Sequence, residues 1–279
     1  MLTLAQLQQT MHQLGLSQRV ILAHGALKSF GSCDFSPQQL IDTLASKGNT
    51  LVMPTFEYDC LANPPQDATN YQQNAVEGPW AFCSPHPFVG HENRITPDMG
   101  ALSKILLNHP MRIRSVHPIN SFTALGPQAK ALMARQSYQG LYDIYQALCS
   151  DTHEFDDAVL LLMGVGLTSA TPIHYAEQLA GRAMFVRWAS VAGEGIVETR
   201  IGACSLGFAA LDDAVATIET RVLVGESLWR LFSLKAFIAV CQQAIEKNPA
   251  LIQCHSDCVR CRDIIAGGPF VRQSVGAQM

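Results

Sequence analysis

The run RIRSVHPINSFTALG, residues 112–126, gathers Arg112, Arg114, Ser115, His117, Asn120, Ser121 and Thr123 between two apolar stretches. Histidine is the usual general base near neutral pH, so His117 is the first candidate for proton transfer. Pro118 biases it toward extended backbone. A structural histidine with satisfied ring nitrogens is the competing reading. A second run, GVGLTSATPIHYAE at residues 164–177, follows the apolar hexapeptide AVLLLM. Gly164 and Gly166 permit a tight turn, and a helix beginning there offers free N–H groups to an anion or a developing oxyanion. His174 and Glu177 lie three apart and share a helix face. An ordinary strand–helix turn is the plainer alternative. A third run, HGALKSFG at residues 24–31, combines small residues with Lys28 and Ser29. Backbone N–H groups and charge there can cradle a phosphate. None of these runs contains the GxxxxGK[ST] or GxGxxG fingerprint, so neither a P-loop nor a nicotinamide site is indicated.

The C-terminal CHSDCVRC spaces Cys254, Cys258 and Cys261 as C-x3-C-x2-C. Thiolates so spaced can bind zinc, with His255 or a residue elsewhere as a fourth ligand. Free thiols are the preferred reading, and no metal site is assigned.

These residues need elements to hold them. RVILA at 19–23 and TLVM at 50–53 read as buried strands; Ser36-Pro37 opens a helix between them, with Gly48 as its stop. Strand, helix, strand is a βαβ unit. AVLLLM, residues 158–163, reads as a central strand buried on both faces, followed by a helix with Pro172 in its first turn. Strands are expected at 112–116 and 122–125, an antiparallel pair at 184–191 and 195–204, and amphipathic helices near the N-terminus, from Met99, at 127–135, at 141–148 and at 234–247. The fold class is α/β: a mixed, largely parallel central sheet flanked by helices, with an inserted loop and a C-terminal antiparallel and helical portion. The whole chain, 1–279, is read as a single domain.

Residues 56–97 interrupt the pattern with prolines, glycines and aromatics, among them Tyr58, Tyr71, Trp80, Phe82 and Phe88. A loop this long in a compact domain is usually functional, and its aromatics favour an ordered lid. Glu57 and Asp59 follow the second strand, where they would hold a cationic group; with Asp98 and His174 they are the candidates to line an acceptor site. Residues 250–279 form a cysteine-containing extension.

The chain has 279 residues, a net charge of −4 and 15% charged residues, so neither nucleic acid nor an anionic membrane surface is an expected partner. Nine cysteines without a secretory leader suggest reduced thiols in the cytoplasm.

Taken together, VILAHGALKSFG, TLVMPTF, MGALSKILLNHPMRIRSVHPINSFTALG and LLMGVGLTSATPIHYAE resemble the ordered motifs of the aminoglycoside 3-N-acetyltransferase family. The resemblance runs from about Arg19 to Gly181, with a weaker echo in VGESLWRLFSL. It implies an acetyl-coenzyme A-dependent N-acetyltransferase for a small-molecule amine, needing no metal for catalysis. Carried over, His117 matches the catalytic histidine and Glu177 an acidic position that would orient it, with Asp98 as the alternative. Leu27, Lys28, Ser29, Phe30, Arg114 and Ser115 match the coenzyme A contacts. The family's HPT is HPI here, with Ile119 in place of threonine. That departure keeps a coenzyme A-binding regulatory relative as an alternative. A Cys–His or Ser–His hydrolase is the other, although no GxSxG elbow is present. Monomer and homodimer both remain open.

Overall fold

Val20 to Ala23 are all buried although their side chains alternate, because strand β1 (Val20–Gly25) has core on both faces. A computed structural model describes residues 1–271 except Phe82, Cys83, His153 and Asp156. Helix α1 (Leu4–Gln13) precedes β1 and buries Leu7 and Met11. Helix α2 (Pro37–Leu44) begins as the sequence suggests. The Gln39 N–H donates to Ser36 Oγ at 3.2 Å, and the Ser36 N–H donates to Gln39 Oε1 at 2.8 Å. Such a capping box contributes about 1 kcal/mol. The helix stops at Leu44, before Gly48; that glycine takes φ +78° in the turn entering β2 (Thr50–Pro54). β1 and β2 pair in parallel, Ile21 opposite Leu51, which completes the βαβ unit.

The chain continues through β3 (Leu61–Ala62), β4 (Tyr71–Gln72), α3 (Gly100–Leu107), β5 (Ile113–Arg114), β6 (Phe122–Leu125), α4 (Ala129–Met133) and α5 (Asp143–Cys149). Then come β7 (Ala158–Met163), α6 (Pro172–Leu179), β8 (Phe185–Val191), β9 (Gly195–Ile201) and α7 (Asp212–Val215). Last are β10 (Thr220–Val224), β11 (Ser227–Ser233), α8 (Leu234–Lys247), α9 (Val259–Ile265) and β12 (Phe270–Val271).

The main sheet has seven strands in the order β10-β11-β7-β1-β2-β6-β5. It is mixed: β7, β1 and β2 pair in parallel at the centre, and the flanking pairs are antiparallel. Only β11 and β6 run against the other five. One face packs on α1, α2 and α3 through Leu7, Leu40 and Leu106. The other packs on α5, α6 and α8 through Tyr145, Ile173 and Phe237, and on Phe185 of a second sheet, β3-β8-β9.

The β10–β11 hairpin went unread in the sequence. Its two-residue turn, Gly225-Glu226, has Gly225 at φ +62°, where a two-residue hairpin favours glycine. Described residues of the 56–97 segment pack on β8. Asn74 exchanges hydrogen bonds with the Val186 backbone, at 2.8 Å and 3.1 Å. Trp80 packs edge-on against Trp188 with ring centroids 5.3 Å apart. Phe88 takes part in two backbone bonds, to Ser190 and from Ala192. Phe82 lies outside the described residues.

Candidate active site

The parallel strands β7, β1 and β2 lie side by side, so the segments leaving their carboxyl ends converge at one edge of the sheet. Ligands of open α/β sheets bind at such an edge. Two 3-10 turns stand there, Leu27–Phe30 after β1 and Leu167–Ser169 after β7. Each begins with amides that have no partner within the turn. Ser29 ties the first turn to β11: its hydroxyl donates to the Ala26 carbonyl at 2.7 Å and lies 2.7 Å from the Ser227 hydroxyl. A Cβ on Gly164, which has φ +66°, would come within 2.1 Å of Ser29 Oγ, so only glycine allows this approach.

Pro172 starts α6, and His174 follows in its first turn. One turn on, Glu177 is buried and its Oε2 lies 2.7 Å from His174 Nδ1. Its other oxygen accepts from Arg182 at 2.6 Å. A carboxylate held on both sides fixes the tautomer: Nδ1 carries the proton and donates, leaving the Nε2 lone pair outward. No hydrogen-bond partner of Nε2 is found among the described residues. The ring is stacked on Tyr142, centroids 6.2 Å apart, and meets Phe208 edge-on at 4.8 Å. Gly202 closes the third side, since a Cβ there would lie 2.4 Å from the Tyr142 hydroxyl and 3.0 Å from His174 Cγ.

The pairing of Glu177 with His117 expected from the sequence is therefore corrected: Glu177 holds His174. His117 is wholly buried. Its Nδ1 accepts from the Asn120 N–H at 2.9 Å, so Nε2 carries the proton. Nε2 lies 3.0 Å from the Arg200 carbonyl and 2.8 Å from the Thr199 hydroxyl, which itself donates to the Tyr138 carbonyl. Burial pushes its pKa down to about 3, so it stays neutral at ordinary pH. Both ring nitrogens are spent inside the fold.

Several neighbours of the RSVHP turn are likewise internal. The Arg114 guanidinium donates to Ser121 Oγ, the Glu92 and Thr55 carbonyls, and Glu57 Oε2 at 3.2 Å. Its side chain is 1% exposed and lies over the Phe88 ring. Ser115 donates to Gln136 Oε1 at 2.5 Å and accepts from the Phe122 N–H. Glu57 is buried between Arg114 and Arg94; burial pushes its pKa up against their charge. Ile119 is fully buried in the core.

Of the HGALKSFG candidates, Lys28 is exposed, Leu27 and Ser29 are half-buried, and Phe30 is core, packed edge-on against Trp229. Asp59 and Asp98 are exposed. Partial burial raises the pKa of the Tyr58 hydroxyl, which also feels the charges of Arg260 and Asp98. Tyr58 and Arg260 also act on the Tyr142 hydroxyl, which is pushed well above its usual value, chiefly by burial. Tyr58 and Arg260 thus lie near Tyr142, the ring stacked on His174. A hydrolytic cysteine finds no support in Cys60, Cys149 or Cys241: burial raises their pKa values to about 12, 11 and 12, away from thiolate.

Sequence reasoning missed Arg182, Tyr142, Phe208 and Gly202, which come from four separate segments and share no local pattern. His174 was legible, through its three-residue spacing to Glu177, but as a substrate contact.

A sequence model described as aminoglycoside 3-N-acetyltransferase matches residues 22–246. Aminoglycoside N(3)-acetyltransferase IV of Salmonella sp is 29% identical over 164 residues, covering 58% of this chain and 52% of the relative. Aminoglycoside N(3)-acetyltransferase IX of Micromonospora chalcea is 28% identical over 186 residues, covering 64% of this chain and 62% of the relative. The chain thus spans somewhat over half the length of these curated relatives. Among solved structures, the apoenzyme of aminoglycoside acetyltransferase AAC(3)-IVa superposes with a TM-score of 0.74 at 23% identity, covering 96% of this chain and 98% of the other. A histidine-to-alanine mutant of AAC(3)-IVa in complex with a gentamicin gives 0.70 at 22% identity, covering 95% and 96%. AAC-IIIb in a binary complex with CoASH gives 0.70 at 21% identity, covering 86% and 95%. These likenesses show a common fold, and the family match spans most of the sequence, so the chain belongs to the aminoglycoside 3-N-acetyltransferase family.

Proposed function

We propose that this chain is an N-acetyltransferase that moves the acetyl group of acetyl-coenzyme A to an amino group of an aminoglycoside or a similar small polyamine. Family membership supports the reaction class. The observation that carries the mechanism is the His174–Glu177 pair, with Nδ1 bound at 2.7 Å and Nε2 without a partner among the described residues.

Acetyl transfer to an amine needs a base, because an ammonium has no lone pair. His174 Nε2 takes the proton, and Glu177 steadies the imidazolium through Nδ1. Arg182 keeps the carboxylate from swinging away. The base role read into His117 passes to His174, and His117 braces the turn beneath. The freed amine attacks the thioester carbonyl directly: the C–N bond forms, the nitrogen sheds its extra proton to solvent, and the C–S bond breaks as the His174 imidazolium gives its proton to the departing coenzyme A thiolate. The oxyanion formed in between meets backbone amides of the Leu27–Phe30 or Leu167–Ser169 turn. Lys28 supplies positive charge for the coenzyme's phosphates. Asp98, and Asp59 further out, attract the acceptor's ammonium groups, whereas Glu57 is occupied by arginines. The thioester is already activated, so a metal takes no part in the chemistry. The eight described cysteines are all unpaired, which suits a reducing cytoplasm. Transfer to an aminoglycoside would there confer resistance.

The test is calorimetric titration with coenzyme A, followed by a thiol-release assay across an aminoglycoside panel. Saturable binding and release dependent on at least one acceptor are expected. No coenzyme A binding at millimolar concentration would overturn the reading.

A further inference from the structure

Four thiols that are scattered in the sequence meet at one point. Cys204 lies in the loop after β9, Cys254 in the loop after α8, Cys258 caps α9, and Cys261 lies in the first turn of that helix. Their sulfurs all lie within 4.8 Å of one another. Cys204 and Cys254 are 3.7 Å apart, and Cys254 and Cys261 are 3.6 Å apart. A disulfide requires about 2.05 Å, so these are not bonded pairs. A tetrahedron with metal–sulfur bonds of about 2.3 Å has edges of roughly 3.8 Å, close to what is seen.

We propose that Cys204, Cys254, Cys258 and Cys261 form a structural zinc site with four thiolate ligands. Closed tetrahedral thiolate sites are the form that structural zinc takes. The backbones meet without room to spare. A Cβ on Gly207 would lie 2.0 Å from the Ile252 carbonyl and 3.1 Å from the Cys254 N. His255 is not a ligand; it is exposed and its Nδ1 bonds Asp257 at 2.5 Å. The three-cysteine candidate of the sequence is completed by Cys204, 50 residues before Cys254.

The site fastens two segments that border the catalytic histidine. Two residues before Cys204 stands Gly202, against the rings of Tyr142 and His174. Between Cys258 and Cys261 stands Arg260, whose charge reaches the Tyr58 and Tyr142 hydroxyls. The zinc therefore holds one wall of the site in place and stays outside the chemistry.

The full chain should be purified in reducing buffer without chelator and its metal measured by mass spectrometry. About one zinc per chain is expected. Cys204→Ser and Cys258→Ser should each lower it at least tenfold, whereas Cys33→Ser, remote from the cluster, should leave it unchanged. Cobalt(II) added to reduced, zinc-stripped wild type should give the intense visible bands of tetrahedral thiolate cobalt. That measurement decides the matter if the serine variants do not fold. Absence of both zinc and the cobalt spectrum, iron in place of zinc, or zinc retained in full by folded Cys204→Ser and Cys258→Ser would overturn the proposal. Activity is not read, so the outcome is independent of the acetyltransferase assignment.

Discussion

The two histidines His117 and His174 stand beside the same core yet differ in what their nitrogens do. His117 gives both to the fold: Nδ1 to the Asn120 amide, Nε2 to Arg200 and Thr199. His174 gives one to Glu177 and keeps the other. The strongest local motif, RSVHP, contains the first; an inconspicuous helix start contains the second. Local density of polar residues marks a turn that needs many hydrogen bonds as readily as it marks a catalytic centre. What separates the two is whether a lone pair remains for a substrate.

The comparison breaks most directly at His174. His174→Ala should lower kcat by roughly 10²–10⁴-fold with melting temperature and coenzyme A affinity near wild type, since a base acts chiefly in the transition state. Thiol-release kinetics and calorimetry on one preparation check this. A folded His174→Ala protein with normal kcat would return the base to another residue.

Gly202→Ala sharpens the same side. Its Cβ would force the Tyr142 hydroxyl or the His174 ring to move. Displacing a base by about 1 Å can cost on the order of 10²-fold, so kcat should fall by up to that amount while coenzyme A binding persists.

His117→Ala tests the other side. It leaves the Asn120 amide and the Arg200 carbonyl without their partner and opens a cavity. We expect a loss of about 2–4 kcal/mol in stability by urea unfolding, with kcat per folded molecule within a few-fold of wild type. A hundredfold loss of kcat in a folded variant would favour His117 as the base.

The last contrast is in acid stability. The His117 pKa is about 3 in the fold, and that of His24, also lowered by burial, is about 4, against an ordinary 6.5. The unfolded chain therefore binds more protons between these values, and stability rises with pH across that window. It is complete above about 6.5 and is lost as pH falls toward 4 and 3, at up to ~1.4 kcal/mol per pH unit for each histidine. His117→Gln should flatten that slope, measured by urea unfolding at successive pH values. An unchanged slope would mean that His117 is not held neutral.

Much of the scaffold was legible because it rests on local patterns. The Ser36-Pro37 cap, the AVLLLM strand and the 234–247 helix were read to within a residue or two, since capping and hydrophobic periodicity act over a few positions. The β10–β11 hairpin was not, because alternation in SLWRLFS is weak where both faces meet other elements.

For the site, the sequence by itself determined the inventory: the family motifs, the His174–Glu177 spacing, the thiols of the C-terminal run. Tertiary structure decided the assignments. Glu177 chose His174 because they share one helix turn, whereas His117 was claimed by the Asn120 amide and by carbonyl and hydroxyl groups on β9. Cys204 joined Cys254, Cys258 and Cys261 because the loop after β9 meets the start of α9. No spacing rule reaches across 50 residues. Hydrogen bonds and metal ligation are satisfied in space, so residue types and local spacing fix what can react, and packing fixes which groups are left free to do so.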